Sequence, residues 1–299
     1  MAKLTQSTYT VNRFRKQILC VGDSMTYNVT YDMTADKYPP HQLQKLLVAA
    51  GYNLVCRNFG RAGNTTGDMI VRQSLFTQWG IPDIAVINAS VNDYAYDTTV
   101  QASPSPTTTT FTVGAGLGAG YKAGSYCTVT IGGTTYSRLI SAVATDAITL
   151  STALPSAPTA GASVKIDTTQ NIVAMASYLT TQGVSKFIIC GMAYENLASG
   201  GDTLTTPLAA NVTLRAKQSA AATAIGANAT YVDLWTPMRS QLVTEIGFGS
   251  NSEGSGSWNQ STTDIHYNAT GSAIIAGIIK DAILASTSLK SAISEITSV

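Results

Sequence analysis

Short apolar runs alternate with stretches of helical period along most of the chain. Residues 17–21 form an almost fully apolar run closed by Gly22, the pattern of a buried strand. Pro39-Pro40 opens a helical stretch over 41–50, with Leu43, Leu46 and Leu47 on one face and Gly51 as the stop. Residues 54–58 predict a second strand, 66–79 a helix ended by Gly80, and 84–88 a third strand, apolar until Asn88. Strand followed by helix or loop is the rhythm of a parallel α/β sheet.

That rhythm stops near Thr98. Over 101–167 no helical period appears. Residues 107–113, 126–131, 134–140, 147–150 and 162–166 are β-prone, and Gly132-Gly133 marks a hairpin between the second and third of these. The stretch predicts a small all-β insert of about five strands. From Gln170 the first rhythm returns: a helix over 172–179, a strand over 186–190, an Ala-rich helix over 208–225, a strand over 230–234 and a closing helix over 271–285. Residues 247–263, rich in Gly, Ser and Asn, predict an irregular surface loop. The expected architecture is a three-layer α/β/α domain, 1–100 and 168–299, on a five-stranded parallel sheet, with an all-β insertion domain at 101–167. Ligands of such a sheet bind outside the carboxyl ends of its strands.

Composition narrows the partners. The chain has 299 residues and a net charge of +1, and 12% of its residues are charged, about half the usual ~25%. Nothing in this balance favours nucleic acid or an anionic membrane. No run approaches the ~18 apolar residues of a membrane span. The N-terminal stretch lacks the apolar core of a secretory signal, which leaves the location open, with virion-associated and cytoplasmic as the options. The cysteines, Cys20, Cys56, Cys127 and Cys190, form no metal-type spacing, and they read as reduced core residues.

The candidate chemistry begins with histidine. There are two, His41 and His266, and imidazole is the side chain best suited to take a proton from a serine hydroxyl near neutral pH. His41 follows Pro39-Pro40 and reads as a helix-start residue. His266 lies in Thr263-Asp264-Ile265-His266-Tyr267-Asn268. Ser24, in Gly22-Asp23-Ser24-Met25, falls just past the first strand. Gly63 and Arg61 lie in the run 58–66 after the second strand, and Asn92 follows the third in Ser90-Val91-Asn92-Asp93. Gly63 would offer a backbone N–H to a developing oxyanion, and Asn92 a side-chain amide.

These four blocks resemble the SGNH hydrolase family, the GDSL-type esterases, in the family's order: Ser24 in GDSM, Gly63 in NFGRAGNTT, Asn92 in SVND and His266 in TTDIHYN. The resemblance covers about 17–97 and 168–285. It implies a flavodoxin-like fold and a serine esterase needing neither metal nor cofactor. Ser24 would be nucleophile and His266 base, with the N–H groups of Ser24 and Gly63 and the Asn92 amide as oxyanion hole. Asp264 is chosen as the triad acid, although the family's acid usually stands three residues before the histidine, where this chain has Thr263. Met25 replaces the usual Leu, and Ser90 replaces the usual Gly two before the asparagine.

Four other residues near these blocks are candidates for substrate contact. Asp23 either acts there or stabilises the turn, and Arg61 either meets an acidic substrate or stays solvated. Trp258 and Tyr267 either stack on a sugar ring or cover the core. Asp233 reads as a structural acceptor at a strand end. The insert's phrases resemble β-rich modules of phage tail and fibre proteins. Together these imply an O-acetylesterase acting on acetylated carbohydrate or another small ester. A lipase or thioesterase and a non-catalytic glycan-binding tail protein are the alternatives, and the oligomeric state is left open.

Overall fold

The computed structural model of the protein describes residues 15–27, 35–193, 209–238, 267 and 269–294. Five strands, β1 (Lys16–Gly22), β2 (Leu54–Gly60), β3 (Ile84–Asn88), β10 (Phe187–Cys190) and β11 (Ala229–Val232), form one parallel sheet in the order β11-β10-β3-β1-β2. The chain enters at β1, runs outward to β2, then crosses β1 to build β3, β10 and β11 on the other side. The direction of winding reverses at β1, and that switch point is where a doubly wound sheet opens a crevice.

Both faces of the sheet are buried, which explains the unbroken apolar runs. Ile18 and Cys20 of β1 pack on one face with Leu43 and Leu47 of α2 (Pro39–Ala49), Ile275 and Ile279 of α6 (Ala269–Ala285), and Leu289 of α7 (Thr287–Ile293). Leu19 and Val21 point the other way. They meet Met69 of α3 (Thr66–Val71), Ile172 and Met175 of α4 (Thr168–Thr181), and Ala221 of α5 (Ala209–Ile225). Each such Ile or Leu contributes about 1.5–3 kcal/mol on burial. All four cysteines are buried and free.

Among the described residues no single helix is long and apolar enough to cross a membrane. The pair α6 and α7 passes that test together but is bent by 101°.

Residues 98–166 build a second, antiparallel sheet of six strands. These are β4 (Thr98–Thr99), β5 (Thr110–Thr112), β6 (Tyr126–Ile131), β7 (Thr134–Ala144), β8 (Ala147–Leu150) and β9 (Ser163–Ile166), in the order β4-β9-β6-β7-β8-β5. The β6–β7 hairpin turns at Gly132-Gly133. The sheet has a core of its own, centred on Phe111, Tyr121, Val129, Ile148 and Val164. The two-residue β4 carries no apolar run, and its pairing with β9 lay outside the sequence expectation for that reason.

The helix expected over 66–79 ends at Val71. Beyond Arg72 the backbone changes to i−3 bonding (Leu75 to Arg72, Phe76 to Gln73), and Phe76 is buried while Leu75 and Trp79 stay exposed. The loop expected over 247–263 lies outside the described residues.

Candidate active site

Ser24 is the first residue of the short helix α1 (Ser24–Tyr27), directly beyond β1 at the switch point. It is 6% exposed. The turn is tight at Gly22, where a Cβ would overlap Thr26 Oγ1 and the Asn88 carbonyl oxygen, so only glycine fits. Thr26 uses the closeness, donating its hydroxyl to the Asn88 carbonyl at 3.2 Å. Asp23 is 1% exposed and accepts the Met25 N–H at 2.9 Å. Burial pushes its carboxyl up to about 7, opposed by the N–H groups of Met25, Val91 and Ser90. These contacts bind Asp23 into the turn that carries Ser24 and tie that turn to the end of β3.

The loop after β2 folds over the same turn. Arg61 N–H donates to the Gly22 carbonyl at 3.1 Å, and Asn64 N–H to the Arg61 carbonyl at 3.2 Å. Between them Gly63 has φ +74°, with nothing within 4 Å of a notional Cβ. That positive φ is a backbone conformation that favours glycine, and the open space beside it leaves the main chain accessible. The Arg61 side chain is exposed. Arg72 lies on the far side of this loop, its Nε donating to Asn64 Oδ1 at 2.8 Å and its Nη2 to the Gly22 carbonyl at 3.1 Å. Burial, reinforced by the charge of Arg61, pushes this guanidinium down to about 10.

Asn92 completes the group from the loop after β3. Its side-chain amide donates to the Asn64 carbonyl at 3.0 Å. An amide nitrogen carries two hydrogens, so one fixes the orientation and the other remains to be offered to a ligand. Ser24, Gly63 and Asn92 thus come from the carboxyl ends of β1, β2 and β3, three neighbouring strands.

Below them lies a buried polar knot that sequence reasoning missed. Asp93 accepts the Thr66 N–H and hydroxyl, each at 2.8 Å, and the Thr168 hydroxyl at 2.7 Å. Asn171 donates to Thr66 Oγ1 at 3.0 Å and accepts the Tyr126 N–H of β6 at 2.7 Å. Burial pushes the Asp93 carboxyl up to about 6, against those hydrogen bonds. Thr65 caps α3 in a reciprocal box with Asp68, and its hydroxyl also reaches the Gly120 carbonyl at 3.2 Å. An ion pair between Lys122 and Asp68 spans 3.2 Å. The second sheet is therefore anchored on α3 and α4, beside the 61–66 loop.

Tyr267 is 1% exposed within the core that holds Met238 and Ile275. His41 is half-buried in the first turn of α2, edge-on to Tyr38. Asp233 accepts the Trp235 N–H at 3.0 Å, as a strand-end acceptor does. His266, Asp264 and Trp258 lie outside the described residues.

The family model of the GDSL-like lipases and acylhydrolases matches residues 20–274. The chain belongs to that family. This acylhydrolase is a carboxylic ester hydrolase, and its fold is similar to several solved structures. One is LAE5, an α/β hydrolase from the metagenome of Lake Arreo, Spain, with TM-score 0.53 and 14% identity over 89% of this chain and 94% of that one. Another is the acetyl xylan esterase AlAXEase, with TM-score 0.51 and 14% identity over 89% and 99%. A third is the lipase/acylhydrolase from Enterococcus faecalis, with TM-score 0.50 and 14% identity over 90% and 95%. At such identity the likeness is one of fold. No curated protein sequence matches the chain.

Proposed function

We propose that this acylhydrolase is a carbohydrate O-acetylesterase working through Ser24, His266 and Asp264. The Ser24 hydroxyl oxygen attacks the acetyl carbonyl while His266 takes its proton. The N–H groups of Ser24 and Gly63, with the free hydrogen of the Asn92 amide, hold the oxyanion. Collapse breaks the bond between the acetyl carbon and the sugar oxygen, which takes the proton from His266 and departs as a hydroxyl, leaving an acetyl-enzyme. Water, deprotonated by His266, then releases acetate and restores Ser24. Asp264 orients the imidazole and stabilises its charged form.

The observation that carries this reading is the convergence of Ser24, Gly63 and Asn92 at three adjacent strand ends, with Asn92 already held by the Asn64 carbonyl. Donors fixed before the reaction need no reorganisation when charge develops. The sugar ester is favoured by the sparsely charged composition and by the second sheet anchored beside the 61–66 loop. We treat 101–167 as an inserted domain that meets the polymer there, in keeping with its resemblance to phage tail modules.

The test is the acyl-chain profile on p-nitrophenyl esters, run beside acetate release from acetylated polysaccharides. The expected result is a sharp preference for acetyl. A rate rising toward octanoyl would instead identify a lipase or thioesterase, and glycan binding without turnover of any ester would identify a non-catalytic binding protein.

A further inference from the structure

Ser90 is fully buried and has φ +111°, a left-handed conformation that L side chains rarely adopt. It occupies the place where the resemblance expects glycine. Two residues later comes Asn92, so the direction of the backbone at Ser90 fixes where the Asn92 amide points.

Three sets of contacts hold this conformation. Gln218 of α5, 1% exposed, donates its Nε2 to the Ala89 carbonyl at 2.8 Å and faces Ser90 Oγ at 2.9 Å. Its Oε1 accepts the Met192 N–H beyond β10 at 2.7 Å. The N–H groups of Ser90 and Val91 face the Asp23 carboxylate, and the Ser90 carbonyl accepts the Asp93 N–H at 3.0 Å.

We infer that Gln218 is a positioning residue: it clamps the strained Ser90 turn and thereby holds Asn92 against the 61–64 loop. A glycine would keep the turn without help, because it adopts positive φ freely. Serine needs outside contacts to keep it, and among these the side-chain amide of Gln218 is the one that grips both its hydroxyl and the preceding carbonyl. The inference rests on the proposed oxyanion role of Asn92.

The test compares Ser90→Ala with Ser90→Gly, each alone and combined with Gln218→Met, by kcat and KM on p-nitrophenyl acetate. Both serine variants lose the hydroxyl, but only glycine removes the strain. The clamp predicts that Ser90→Ala lowers kcat about tenfold with KM nearly unchanged, while Ser90→Gly stays within about twofold of the parent. It also predicts that Gln218→Met lowers kcat in the parent protein and has little effect in the Ser90→Gly background. Equal kcat for Ser90→Ala and Ser90→Gly, or an equal Gln218→Met loss in both backgrounds, would overturn it. Asn92→Ala is measured alongside. A loss there without any coupling between positions 90 and 218 overturns the clamp alone, whereas an unchanged kcat in Asn92→Ala overturns the oxyanion reading beneath it.

Discussion

The side-chain amide of Asn92 is bonded to the main-chain carbonyl of Asn64 at 3.0 Å, which joins the loop after β3 to the loop after β2. One amide hydrogen is consumed in orienting the group, and the other is the one proposed to bond the oxyanion. Asn92→Ala removes both. Turnover is expected to fall by about 10²–10³-fold with a small change in KM, as for loss of one oxyanion donor. Steady-state kinetics on p-nitrophenyl acetate measures it.

Arg72 binds Asn64 Oδ1 and the Gly22 carbonyl at once, so it couples the same loop to the turn that carries Ser24. Arg72→Met keeps most of the buried stem and removes both bonds. The expected outcome is a lower melting temperature together with a kcat reduced by about tenfold. A variant that loses stability but keeps kcat would limit Arg72 to the scaffold.

Asp23 and Asp93 give the fold a pH dependence of unusual sign. Burial raises their carboxyls to about 7 and about 6, whereas in the unfolded chain both titrate near the ordinary ~3.9. Between those limits the folded protein holds more protons than the unfolded one, so the contribution of these groups to stability falls as pH rises. For Asp93 the fall runs from about pH 4 to 6 and for Asp23 from about pH 4 to 7, with no further loss above that. Urea unfolding from pH 4.5 to 8 is expected to show Asp23→Asn with a flatter profile than the parent below pH 7. Identical slopes would contradict the assignment.

The thiols supply a separate check on the core. Cys127 is pushed up to about 12, chiefly by burial, and burial raises Cys190 as well. Thiolate is the reactive form, so a disulfide reagent at pH 8 is expected to leave these thiols unmodified in the folded protein. After denaturation all four cysteines are expected to titrate.

Much of this was legible in the sequence. The strands at 17–21 and 84–88 were readable because a sheet covered on both faces demands apolar runs, whereas the edge strand at 54–58 carries Arg57 and Asn58 and showed only a short apolar start. The placing of Ser24, Gly63 and Asn92 just beyond three strand ends was readable because each follows its strand segment closely. The contacts that orient them were not. Gln218 lies 128 residues from Ser90, Asn171 lies 105 from Thr66, and Arg72 lies 50 from Gly22. A buried glutamine or arginine leaves no local signature, because its burial is decided by partners elsewhere in the chain. The early end of α3 was hidden for a related reason: the apolar spacing through Phe76 suits a helix, but the backbone tightens after Arg72.

Ser24 is the proposed nucleophile of an O-acetylesterase. The most direct measurement is the initial rate of acetate release from acetylated polysaccharide by the parent protein and by Ser24→Ala at equal concentration. Release by the parent and a loss of more than about 10³-fold in the variant are expected. Acetate released by Ser24→Ala at the parent rate would contradict that role.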